Sequence, residues 1–68
     1  MINIGTLIKY THDSVIPSTC LGIVVDISHG MGNYGDNLYY IWWSDDGEYT
    51  EEEERDIIQG FQWEVLCE

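Results

Sequence analysis

A chain of 68 residues with 13 acidic side chains, two basic ones and a net charge of −11 has room for one domain and one small core. Its hydrophobic content of 44%, with three Trp, five Tyr and one Phe, excludes an intrinsically disordered polyanion. The charge opposes phosphate, so neither direct nucleic-acid binding nor adhesion to an anionic membrane is expected.

In chain order, residues 6–11 alternate as a strand, with Ile8 and Tyr10 on one side and Leu7, Lys9 and Thr11 on the other. Turn-forming residues around Asp13 and Pro17 predict a loop over 12–19. Residues 21–27 read as a second strand, in which Leu21, Ile23, Val25 and Ile27 share a face opposite Gly22, Val24, Asp26 and Ser28. A Gly- and Asn-rich connection over 29–37 precedes a third strand, Leu38-Tyr39-Tyr40-Ile41-Trp42-Trp43, built from strand-favouring aromatics and Ile. The Asp46-Gly47 pair signals a tight hairpin, because both residues tolerate positive φ, returning through a short strand over 48–50. Residues 51–59 predict a helical turn with Ile57 and Ile58 inward, ended by Gly60. Residues 61–66 close the chain as a strand with Phe61, Trp63 and Val65 inward.

Five short strands with one helical turn before the last predict an all-β fold, a single SH3-like barrel over residues 1–68. An OB-fold is the competing arrangement, but it needs more residues and a longer helix. Met1 to Gly5 lacks the basic and apolar segments of a secretory leader, and no apolar run is long enough to span a bilayer. A soluble, cytoplasmic protein is therefore expected, with reduced thiols at Cys20 and Cys67, although one disulfide is arithmetically possible.

The run Gly5-Thr6-Leu7-Ile8-Lys9-Tyr10, then Gly22-Ile23-Val24, then Tyr39-Tyr40-Ile41-Trp42-Trp43 with Asp46-Gly47, closing on Asp56-Ile57 and Val65-Leu66, resembles small SH3-like proteins encoded by tailed phages. The resemblance spans most of the chain on generic barrel positions. It implies a viral accessory or virion protein that works by binding, in the host cytoplasm. Tudor and KOW relatives bind RNA through basic residues, which are missing here.

Motifs for chemistry are sparse. Gly30-Met31-Gly32-Asn33-Tyr34-Gly35 has the letters of a dinucleotide fingerprint, but a strand follows where that motif needs a helix, so a hairpin loop is expected. His12, Cys20, His29 and Cys67 lack the close paired spacing of a zinc site. Asp45, Asp46 and Glu48 only loosely follow the alternate acidic positions of a calcium loop. The serines lie in no nucleophile motif, and a chain this small can hardly build a glycosidase cleft around its carboxylates. No enzyme activity, metal or cofactor is expected.

Binding is the stronger expectation. Asp45, Asp46, Glu48, Glu51, Glu52, Glu53 and Glu54 place seven carboxylates in ten residues, tolerable in a folded domain only where water or a cationic partner solvates them. With Tyr39, Ile41 and Trp43 inward, Tyr40 and Trp42 face outward, either covering a loop or anchoring an interface. The partner surface predicted from these residues is Tyr40 and Trp42 with the seven carboxylates as rim. It would dock on a basic surface of another protein, with inhibition of a host nucleic-acid-handling enzyme as a special case. The alternative is a structural virion or assembly component that forms a homo-oligomer.

Overall fold

The computed structural model describes residues 2–12, 18–60 and 62–67, in which five strands and one helix follow one another. These are β1 (Leu7–His12), β2 (Ser18–Ser28), β3 (Leu38–Trp43), β4 (Glu48–Glu53), α1 (Glu54–Gln59) and β5 (Trp63–Cys67). All pairings are antiparallel, in one sheet of order β4-β3-β2-β1-β5. The all-β expectation is met. Among the described residues no ladder joins the edge strands β4 and β5, so the sheet is open.

Alternation along β3 separates inside from outside. Tyr39, Ile41 and Trp43 are buried, whereas Leu38, Tyr40 and Trp42 are half-buried on the opposite face. Ile8, Val24 and Ile57 complete the centre of the core, and Tyr10, Cys20, Ile27 and Trp63 pack around it. Each fully enclosed Ile or Val contributes roughly 1.5–3 kcal/mol of transfer free energy. The core is small, so a few such side chains dominate its stability.

The face assignment in β2 turns on a bulge. Val24 pairs with Ile41 but Asp26 pairs with Tyr40, which leaves Val25 as the extra residue. Before the bulge the inward residues are Gly22 and Val24, while Leu21 and Val25 are exposed. After it, the parity changes and Ile27 turns toward the core. The four apolar residues expected to share a face therefore divide between two faces. A second irregularity, between Leu7 and Ile8 against β5, adds to the bend of the sheet.

Other boundaries moved for identifiable reasons. Ser18 and Thr19, expected in a loop, pair with His12 and Thr11. Glu51, Glu52 and Glu53, expected to be helical, extend β4 by pairing with Tyr40, Tyr39 and Leu38. Ladder bonds to β3 outweigh the helix preference of glutamate. The helix is thus only six residues long, and it buries Ile57 while leaving Ile58 exposed. Val65 is also exposed, although its neighbour Trp63 is half-buried against the core. The expected inward placement of Phe61, and residues 13–17 of the predicted loop, lie outside the described residues.

The β3–β4 hairpin is looser than the sequence suggested. Trp43 pairs with Glu48 across a four-residue connection, closed by the Gly47 N–H donating to the Trp43 carbonyl at 2.9 Å. Gly47 has φ 71°, and among the described residues no non-glycine has positive φ. The two-residue turn with both Asp46 and Gly47 left-handed is therefore absent. Instead an Asp46 carboxylate oxygen accepts the Glu48 N–H at 3.0 Å, a local bond typical of aspartate in turns.

The glycine-rich connection between β2 and β3 is a loop clamped to the helix start, as its lack of a following helix implied. The Glu54 N–H donates to the Asn37 carbonyl at 3.0 Å, and the Arg55 N–H to Asp36 Oδ2 at 2.9 Å. These bonds satisfy donors that a helix start leaves without internal partners. The Arg55 guanidinium lies 3.9 Å from the Tyr34 ring centroid, adding a cation–π contact to the same clamp.

Cys20 and Cys67 sit on opposite sides of β1, opposite Tyr10 and Leu7 respectively. Three residues along the strand and two inter-strand spacings give about 10 Å in each direction. A disulfide needs Cα atoms within about 7 Å, so this register keeps the two cysteines apart.

Candidate functional site

Strand alternation splits the acidic run in two. Along β4, Tyr49, Glu51 and Glu53 pair with Trp42, Tyr40 and Leu38, and so share the outer face. Glu48, Thr50 and Glu52 pair with Trp43, Ile41 and Tyr39, and so share the inner face. Asp45 and Asp46 occupy the hairpin tip and are exposed. Of the nine residues expected to form one rim and its anchors, Tyr40, Trp42, Glu51 and Glu53 thus belong to the outer face and Glu48 and Glu52 to the inner one, while Asp45 and Asp46 lie at the hairpin tip and Glu54 opens α1.

Two of the carboxylates, Glu53 and Glu54, are tied to the loop between β2 and β3. Glu53 accepts a hydrogen bond from the Asn33 backbone N–H. Glu54 accepts from the Asn37 N–H at 3.3 Å and from the Tyr39 hydroxyl at 3.2 Å. The Tyr39 phenol is pushed up from its ordinary pKa, chiefly by burial and additionally by the Glu54 charge, so it stays protonated and donates. Both carboxylates hold the loop and helix in place.

On the outer face, Tyr49, Trp42, Ile23 and Leu7 are cross-strand neighbours over four strands. Tyr49 and Leu7 are exposed, and Trp42 and Ile23 are half-buried. Beside this row stands a second, Glu51, Tyr40 and Asp26. The Ser28 hydroxyl donates to the Tyr40 hydroxyl at 3.3 Å and helps hold its ring against the sheet.

At one end of the inner face lies a groove of about 300 Å³ that sequence reasoning did not anticipate. Its walls are the rings of Tyr10, Trp43 and Trp63. Tyr10 and Trp63 have centroids 4.7 Å apart, Trp43 and Trp63 5.8 Å, and Tyr10 and Trp43 6.4 Å, all inclined to one another. The Trp43 indole N–H donates to Thr50 Oγ1 at 2.7 Å, which fixes the plane of that ring. His12, Cys20, Asp45, Asp46 and Glu52 complete the lining.

The polar part of the groove is connected. The Cys20 thiol donates to Asp45 Oδ2 at 3.1 Å, with His12 Nε2 3.4 Å from the same sulfur. The hydrogen bond to Asp45 is the main cause that raises the Cys20 pKa, reinforced by burial and by the charges of Asp45 and Asp46. This environment favours the thiol and disfavours the thiolate that a nucleophile or metal ligand requires. Among the described residues no three His, Cys, Asp or Glu groups are arranged to hold a metal ion. Glu52 is half-buried, and burial raises its carboxyl pKa, partly offset by a hydrogen bond with Thr50.

The signal for this groove was divided among segments that are distant in sequence. Trp43 and Trp63 were legible as inward residues and Tyr10 as sharing a face with Ile8, but only the pairing of β1 with β2 and β5, and of β2 with β3, brings them together. Comparison of the chain with protein-family models, curated proteins and solved structures finds no match.

Proposed function

We propose that this chain is a small SH3-like barrel of the kind tailed phages encode, and that it acts as a protein-binding module docking on a basic surface of a partner protein. The strand order, the long, bulged β2 and the helix placed just before β5 support the fold part of this reading. The binding part rests on one observation. The outer-face row of Tyr49, Trp42, Ile23 and Leu7 is apolar, and the adjoining Tyr40 stands between Glu51 and Asp26. Trp and Tyr supply contact area, while flanking carboxylates steer a cationic partner and select against anionic ones. In this reading the protein is cytoplasmic, uses no cofactor and catalyses no reaction. Inhibition of a host nucleic-acid-handling enzyme is its special case, supported by the net charge.

A second reading, a self-associating virion or assembly part, is favoured by the exposed Leu7, Leu21 and Val25 on the same sheet. The glutamates of edge strand β4 oppose pairing between two copies of that edge. One experiment separates the two readings: capture from a lysate of the source cells on wild-type and Trp42→Ser baits, eluted in rising salt. The docking reading expects a basic protein that is released at moderate salt and lost from the variant. Recovery of only the chain itself or of particle proteins, insensitive to salt, selects the structural reading.

A further inference from the structure

The inner-face groove plays no part in the outer-face row, yet its composition specifies a ligand. Of its three aromatic walls, the half-buried Tyr10 and Trp63 offer ring faces, whose quadrupole attracts a cation. Asp45, Asp46 and Glu52 add three carboxylates, while neither basic residue of the chain lines the groove. Lys9 belongs to the outer face with Leu7, and Arg55 is held over Tyr34 at the helix. An anion would meet repulsion, and a neutral ligand would leave the half-buried Glu52 without a counter-charge. A bare metal ion lacks a set of three ligands among the described residues. An organic cation remains.

Volume and shape narrow it further. About 300 Å³ is the lower end of the range for ligand pockets, enough for one long side chain. A planar guanidinium can stack on an indole and present paired N–H groups to carboxylates, whereas an ammonium offers a compact point charge. We infer that the groove receives one arginine side chain from the partner's basic surface, stacked against the half-buried rings of Tyr10 and Trp63 beside Trp43 and paired with Asp45 and Glu52. This inference rests on the docking reading above and assigns that reading a second contact, on the opposite face.

The test is a titration of the ¹⁵N-labelled full chain with N-acetyl-arginine amide, following the three Trp indole N–H signals. N-acetyl-citrulline amide serves as the uncharged isostere. Arginine amide is expected to shift Trp43 and Trp63, with affinity on the order of millimolar, and to leave Trp42 in place. Citrulline amide should shift neither. Glu52→Gln and Asp45→Asn should each weaken binding roughly fivefold, as loss of one charge-assisted contact implies. Asp46→Asn, at the exposed hairpin tip, provides a third variant whose fold is easily retained, and signal dispersion checks folding in all three. Equal binding of citrulline, no indole shift, or shifts confined to Trp42 would overturn the inference. Partner capture that survives Glu52→Gln and Asp45→Asn but is lost with Trp42→Ser would remove the groove and leave the docking reading intact. Arginine binding in the groove without any basic partner being captured would do the reverse.

Discussion

The indole of Trp43 lies across Gly22. A Cβ built on that glycine would stand 2.8 Å from the ring and 2.6 Å from the Ile41 side chain. The two residues are direct cross-strand partners, so the missing side chain is what lets the Trp43 ring approach β2 closely where it lines the groove.

Gly22→Ala should therefore destabilise the fold, even though alanine is the better strand residue. Both obstructing groups belong to the core, and overpacking of this kind costs about 1–3 kcal/mol. A urea unfolding series checks it. A loss below about 0.5 kcal/mol, the scale of an ordinary surface change, would mean that the ring is free to move away.

Ile57 and Ile58 make a matched pair on one short helix. Ile57 is 4% exposed and closes the core, whereas Ile58 is 67% exposed. Ile57→Ala should cost about 2–5 kcal/mol, the usual range for emptying a buried isoleucine site. Ile58→Ala should fall within about 0.5 kcal/mol of wild type. Thermal unfolding of the two variants side by side would settle the orientation of the helix, and similar losses would contradict it.

Cys20 should react slowly with a disulfide reagent at neutral pH. Its proton is held by Asp45, and the charges of Asp45 and Asp46 oppose the thiolate. A raised thiol pKa shifts the rate profile to higher pH, because the thiolate is the reacting species. Removing the negative charge with Asp45→Asn should move that profile back toward lower pH. Measured in a Cys67→Ser background, an unchanged midpoint would show that Asp45 does not control the thiol.

Much of the outline could be read directly from the chain. The alternation in Leu38–Trp43 placed Tyr39, Ile41 and Trp43 inward and Tyr40 and Trp42 outward, because a half-buried strand imposes a period of two on its own side chains. The same local logic located the loop after Ser28 and the buried Ile57. It misjudged Ile58 and Glu51–Glu53 because propensity within a segment carries no information about its neighbour. A strand partner such as β3 can recruit residues whose own preference is weak.

The sequence by itself determined a small acidic β domain with aromatic strands, since composition, charge and side-chain period act locally and need no partner. Only the tertiary structure decided where the acidic run points. Pairing with β3 sent Glu51 to the outer face and Glu52 to the inner one, and the bulge at Val25 reversed the parity of β2. The groove likewise depends on bringing together Tyr10, Trp43 and Trp63, separated by 33 and 20 residues along the chain. Hydrogen-bond register between distant strands sets such meetings, and a shift of one residue would turn each ring to the other face.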